Sequence, residues 1–279
     1  MKLSDIAIAA FFLFSQLPVS VQSLEGVFTK DERLIYQDYE ISRSAKPGAD
    51  SWTITVNKNG KTLSKFEIGA TKSNGWANLG LFNFLGGQSK QLIVEGYSGG
   101  AHCCMDYRII DLSPKYRVLY DSNEWRVGSG LTPVDLDKDG VFEFIQSVMT
   151  FDYFYVSHAR SPFPKAIFKY DLKTGKYLPA NNLFPDEVAQ DLDKDMAEVA
   201  QFKQDPEGSD AYEREEYVAA ALRTLLKYVY SGREPQAWAF FDAEYKLDDK
   251  QKLRSDVKKL LRGCAIYNYI YSQRNRNGN

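Results

Sequence analysis

Histidine and cysteine are scarce in this chain: 279 residues contain two histidines, His102 and His158, and three cysteines. So few histidines exclude a histidine-rich catalytic metal centre. The chain also lacks a phosphate loop, a dinucleotide fingerprint, a serine nucleophile elbow and a zinc-protease motif. Charge of one sign is missing too. The formal net charge is −2, which leaves no basic footprint for nucleic acid or an anionic membrane surface. No Asn-x-Ser/Thr sequon occurs. No apolar run reaches the roughly 20 residues that span a bilayer, and this implies no membrane span.

What is present begins with an export signal. Lys2 precedes an apolar core from Ile6 to Phe14, and Pro18 is followed by Val21-Gln22-Ser23. A short apolar core, a helix breaker and a small residue at the end fit a cleavable leader. Residues 1–23 are therefore expected to be a signal peptide, with Leu24 as the mature start and a periplasmic or secreted location.

From residue 24 to 181 the pattern is that of strands and turns. Trp52, Ile54 and Val56 alternate with polar residues, the period of a strand with one buried face. Asn59-Gly60 follows, the pair favoured in two-residue hairpin turns. Aromatic residues make up 14% of the chain, which suits a β region. A faint repeat lays Asn83–Val94 on Asp135–Gln146, an offset of 52 (135 minus 83). Repeats of this length suggest blades. From 182 to 279 the period turns helical. Asp210 and Glu213 form a possible capping box, Gly232 stops a helix, and Leu253, Val257, Leu260, Leu261 and Cys264 share one face. The tail from Gln273 onwards reads as frayed. The expected class is α+β: an antiparallel all-β domain, partly propeller-like or a sandwich, followed by a helical region.

The sharpest motif is Asp135-Leu-Asp137-Lys-Asp139-Gly140-Val141-Phe-Glu143. Carboxylates at alternate positions curl around one point, the glycine permits the sharp turn, and the Val141 carbonyl adds an oxygen, as a hard cation such as Ca2+ requires. An EF-hand is excluded by Gln146 at position twelve and by strand-like flanks. On these residues the segment resembles the strand–loop–strand calcium loop of FG-GAP/VCBS-type repeats, known from integrin-like propellers, with Glu143 where that family usually has Asp. The resemblance implies Ca2+ at Asp135, Asp137, Asp139, Val141 and Glu143. The plainer alternative is an acidic surface turn. Asp191-Leu-Asp193-Lys-Asp195 imitates the motif, but no glycine follows and its spacing is helical, so a solvated helix face is expected there.

The segment Ser98-Gly-Gly-Ala-His102-Cys103-Cys104 is the most unusual, and it resembles Gly-Gly-Ala-His-Cys-Cys segments of exported bacterial proteins with similar repeats, a resemblance that implies no activity. Export favours oxidation. Neighbouring Cα atoms lie about 3.8 Å apart, below the usual disulfide range, so a Cys103–Cys104 ring would be strained. A bridge from either to Cys264 would pin the helical region to the β region. Two functional readings stand beside the disulfide: a His102–thiolate nucleophile or a soft-metal site. The crowded aromatics Phe151, Tyr153, Phe154 and Tyr155 either cap a core or stack on a sugar. These observations favour a non-catalytic exported calcium-binding scaffold with an unknown protein or glycan ligand. The rivals are a hydrolase using His102-Cys103-Cys104 and a glycan-binding module using Tyr153 and Tyr155.

Overall fold

The computed structural model describes residues 20–24, 26–70, 75–99, 105–202, 205–206 and 210–277. The sequence folds as three antiparallel sheets followed by helices. The first sheet is a meander of β3 (Arg33–Tyr36), β4 (Tyr39–Ser44), β5 (Trp52–Lys58) and β6 (Lys61–Ile68). The second runs β10 (Arg117–Asp121), β9 (Met105–Asp111), β8 (Gln91–Tyr97), β7 (Trp76–Phe82) and β2 (Phe28–Thr29). The third runs β1 (Ser20–Val21), β11 (Val127–Asp135), β12 (Glu143–Val148), β13 (Lys165–Asp171) and β14 (Lys176–Pro179).

The second sheet is buried on both faces. One face gives Ala77, Leu79, Leu92, Val94 and Ile110 to a core shared with Ile41, Ile54 and Val56 of the first sheet. The other gives Phe82, Ile93, Tyr107 and Ile109 to a core shared with Phe144 and Phe168 of the third. A strand buried on both sides has no polar face, so β8 reads Leu92-Ile93-Val94 without alternation. The half-exposed β5 alternates as expected, and at its end Asn59 and Gly60 both take positive φ (48° and 75°), as the hairpin turn demands.

The helices are α1 (Pro185–Val188), α2 (Leu192–Phe202), α3 (Ala211–Tyr230), α4 (Glu234–Glu244), α5 (Lys250–Gly263) and α6 (Ala265–Asn277). Asp210 caps α3, its Oδ1 accepting from the Tyr212 and Glu213 amides at 2.8 and 3.0 Å. Gly232, at φ 80°, follows the end of α3. Residues 273–277 of the expected frayed tail continue α6, the helix that Ile266 and Ile270, at helical spacing, anchor in the core. The helical region does not fold apart from the sheets: Leu222, Leu225, Phe241, Val257 and Ile270 belong to the same core as Phe144 and Phe168. Among the described residues no helix is long and apolar enough to cross a membrane.

Candidate cation loop

The Asp135–Glu143 motif is the turn between β11 and β12. Asp135 closes it from the front, accepting from the Asp139 amide (3.1 Å) and the Gly140 amide (3.2 Å). Asp139 accepts from the Val141 amide at 2.8 Å. Lys138 and Gly140 sit at positive φ, 62° and 82°, which the glycine tolerates without strain. Glu143 closes the loop from behind: its Oε2 accepts from the Leu136 amide at 2.9 Å, and its side chain is fully buried. Carboxylate oxygens of Asp135, Asp137 and Glu143 lie within 4.8 Å of one another, the one such group among the described residues. Asp139 stands outside that group, and Val141 meets the loop carboxylates through its amide.

A side chain that sequence reading missed lies among these carboxylates. Lys169 of β13 places its Nζ 2.6 Å from Glu143 Oε1, 2.8 Å from Asp137 Oδ2 and 3.3 Å from Asp139 Oδ2. Burial works to lower the Lys169 pKa, but bonds to Asp137 and Glu143 outweigh it and the pKa is raised, so the ammonium stays charged. Burial raises the Glu143 pKa, against the pull of Lys169 and the Leu136 amide.

The two segments of the faint repeat share a hydrogen bond at matching positions. Phe84 and Leu85 amides donate to Gln91 Oε1 at 2.8 and 3.2 Å, and the Phe84 bond corresponds, 52 positions earlier (136 minus 84), to the Leu136–Glu143 bond. The two loops also touch. The Phe142 amide donates to the Phe84 carbonyl at 2.8 Å, and a Cβ on Gly86 would fall 2.7 Å from the Gly140 oxygen. Gln91 holds the first loop with a neutral amide, where the second has a charged group.

The remaining candidates separate. His102, Cys103 and Cys104 lie outside the described residues. Cys264 is buried with a free thiol, its Sγ 3.2 Å from the Tyr230 hydroxyl. Phe151 is a core residue, and Tyr155 is tied down: its hydroxyl meets Asp256 at 2.7 Å and Lys252 at 2.6 Å on α5. Tyr153 is 57% exposed. His158 pairs with Asp152 at 2.7 Å. Of the second acidic triplet, Asp193 and Asp195 lie in α2 while Asp191 precedes it in a turn at φ 59°, and Asp195 is not solvated. It is buried and paired with Arg223 (3.2 Å) and Lys227, clamping α2 to α3.

A buried acid with no cationic partner among the described residues sits across the second sheet. Glu95 lies between Asn78 and Tyr107 in register, accepting from the Tyr107 hydroxyl at 2.7 Å and the Asn78 amide at 3.3 Å. Burial raises its pKa. The stability this group contributes is therefore full below its unfolded value, about 4.3, and is lost as pH rises through the folded value. Glu95→Gln should remove that loss. Urea unfolding in acid and in mild base should show the variant gaining on the wild type as pH rises; a difference that stays constant with pH would refute this.

No family model matches this chain, and no curated protein or solved structure matches it either.

Proposed function

We propose that this chain is an exported, non-catalytic binding protein, a propeller-like stack of β-meanders whose Asp135–Glu143 loop takes Ca2+ as a stabilising ion. The observation that carries the reading is the convergence of Asp135, Asp137 and Glu143 oxygens within 4.8 Å at a place already holding a positive charge, the Lys169 ammonium. Those three residues would hold the ion, with Asp139 and the Val141 carbonyl as the further oxygens that the repeat resemblance implies. A bound Ca2+ would supply charge neutralisation and a fixed loop shape.

The N-terminal segment agrees with export. Val21, Gln22 and Ser23 are exposed, and among the described residues Leu24 is the first to pack on the core. Val21 is 65% exposed, so β1 is held by main-chain pairing, such as the Gln22 amide to the Pro133 carbonyl at 3.0 Å. Cutting after Ser23 would remove this two-residue edge strand and leave the apolar contacts of Leu24 in place. The ligand of the scaffold is a protein or glycan. An open groove of about 940 Å³ beside Lys169, flanked by the exposed Leu172 and Leu183, offers it an apolar face.

The test is to express the full chain in an exporting host, weigh the product and titrate it with Ca2+ beside Asp137→Ala. A product starting at Leu24 outside the cytoplasm, with saturable binding lost in the variant, is the expected result. An uncut cytoplasmic product would end the export reading. Absence of calcium binding, in the wild type and with Lys169 replaced, would end the calcium reading.

A further inference from the structure

We propose that Lys169 is the resident cation of the Asp135–Glu143 loop, a tethered ammonium that closes the loop without metal and that any Ca2+ must displace. This rests on the calcium reading and adds to it the residue that sets the affinity.

Position comes first. Phe144 on β12 pairs with Phe168 on β13, so the next step along the antiparallel ladder sets Glu143 opposite Lys169. The ladder, rather than a flexible surface stem, thus brings the ammonium into the loop, and the side chain is only 22% exposed. Geometry comes second. Ca2+ takes oxygens at about 2.3–2.6 Å, while the ammonium already stands 2.6 and 2.8 Å from Glu143 and Asp137 oxygens. Both cations need the same oxygens at nearly the same distance, so they exclude each other. Charge comes third. Four carboxylates, those of Asp135, Asp137, Asp139 and Glu143, crowd one turn, and one of them is fully buried. Leaving a buried carboxylate without a partner is costly.

The repeat supplies an internal control. In the first copy the residue at the Glu143 position is Gln91, and the residue one step beyond the Leu92–Ile110 pair is Asp111, whose carboxylate pairs with Arg117 at 3.1 Å. The neutral Gln91 still caps its loop amides. Amide capping therefore needs no charge, and the acidic copy is distinguished by its Glu143–Lys169 pair.

The experiment titrates Ca2+ into wild type, Lys169→Met and Lys169→Gln, and melts each in chelator and in excess Ca2+. Methionine keeps the stem without the charge, and glutamine keeps a donor for Glu143 in case the methionine protein folds poorly. We expect weak binding by the wild type and at least a tenfold gain in the variants. Variant melting points should fall in chelator and recover with Ca2+, while the wild-type melting point moves little. Variants that bind Ca2+ no more tightly than the wild type would overturn the role of Lys169 and leave the calcium reading standing. No binding by any of the three proteins would overturn both.

Discussion

Phe144→Ala should cost about 3–5 kcal/mol of unfolding free energy, the range for removing a large buried aromatic from a core that cannot collapse around the gap. The site gives little room to relax. Phe144 is fully buried and is surrounded by rings: Tyr120 at 4.7 Å, Tyr177 at 4.9 Å, Phe168 stacked at 5.2 Å and Phe84 at 6.2 Å between centroids. Two of these rings are fixed at their far ends. The Tyr120 hydroxyl donates to Gln146, and the Tyr177 hydroxyl donates to the Phe142 carbonyl at 3.0 Å. Neither can swing into the gap without giving up a buried hydrogen bond. Phe144→Leu refills part of the volume and should cost less, about 1–2 kcal/mol. Urea unfolding of the two variants measures this; a loss below about 1 kcal/mol for alanine would mean that the second and third sheets are not packed through this cluster. The position also bears on the loop. Successive strand residues point to opposite faces, so the ring that fixes β12 in the core leaves Glu143 on the face where Lys169 lies.

The parts of the fold that could be read in advance are those where one residue type has one physical use. Asn59-Gly60 reads as a hairpin because both residues accept positive φ, and Trp52, Ile54 and Val56 read as a strand because only one face of β5 meets the second sheet. The repeat at offset 52 was visible as aligned turns, and the Gln91 and Glu143 bonds give it a physical basis. Lys169 was not visible. It lies 26 residues beyond Glu143 (169 minus 143), and only the β12–β13 register brings the two together; nothing local in Phe168-Lys169-Tyr170 indicates a partner. Asp195 was misjudged for a similar reason. Its helical spacing was legible, but Arg223 and Lys227, which make its burial tolerable, come from another helix. β11 was also hard to see, since Gly128, Gly130 and Pro133 look like loop residues. The strand is indeed irregular, with a register shift between Gly128 and Thr132.

Asn181→Ala should be the second large effect, about 3 kcal/mol, from a residue that sits where the β pattern gives way to the helical one. Asn181 is fully buried and uses its whole amide. Its Oδ1 accepts from the Ile167 amide at 2.9 Å, and its Nδ2 donates to the Lys165 carbonyl at 2.9 Å and the Tyr230 carbonyl at 3.0 Å. Ile167 and Lys165 belong to β13, while Tyr230 is the last residue of α3, so one side chain joins the third sheet to the longest helix. Alanine would strand three main-chain groups. A buried group left unpaired costs about 1–3 kcal/mol, partly recovered where water enters. Leucine fills the volume but restores no bond, so Asn181→Leu should be nearly as damaging, which separates lost hydrogen bonds from lost packing. Hydrogen exchange gives the local readout: the Ile167 amide should exchange faster in the alanine variant by more than the global loss explains. If both variants unfold like the wild type, the sheets and helices are joined by their apolar contacts alone. If they fail as expected, this amide joins β13 to α3 beside the apolar core that the two elements share.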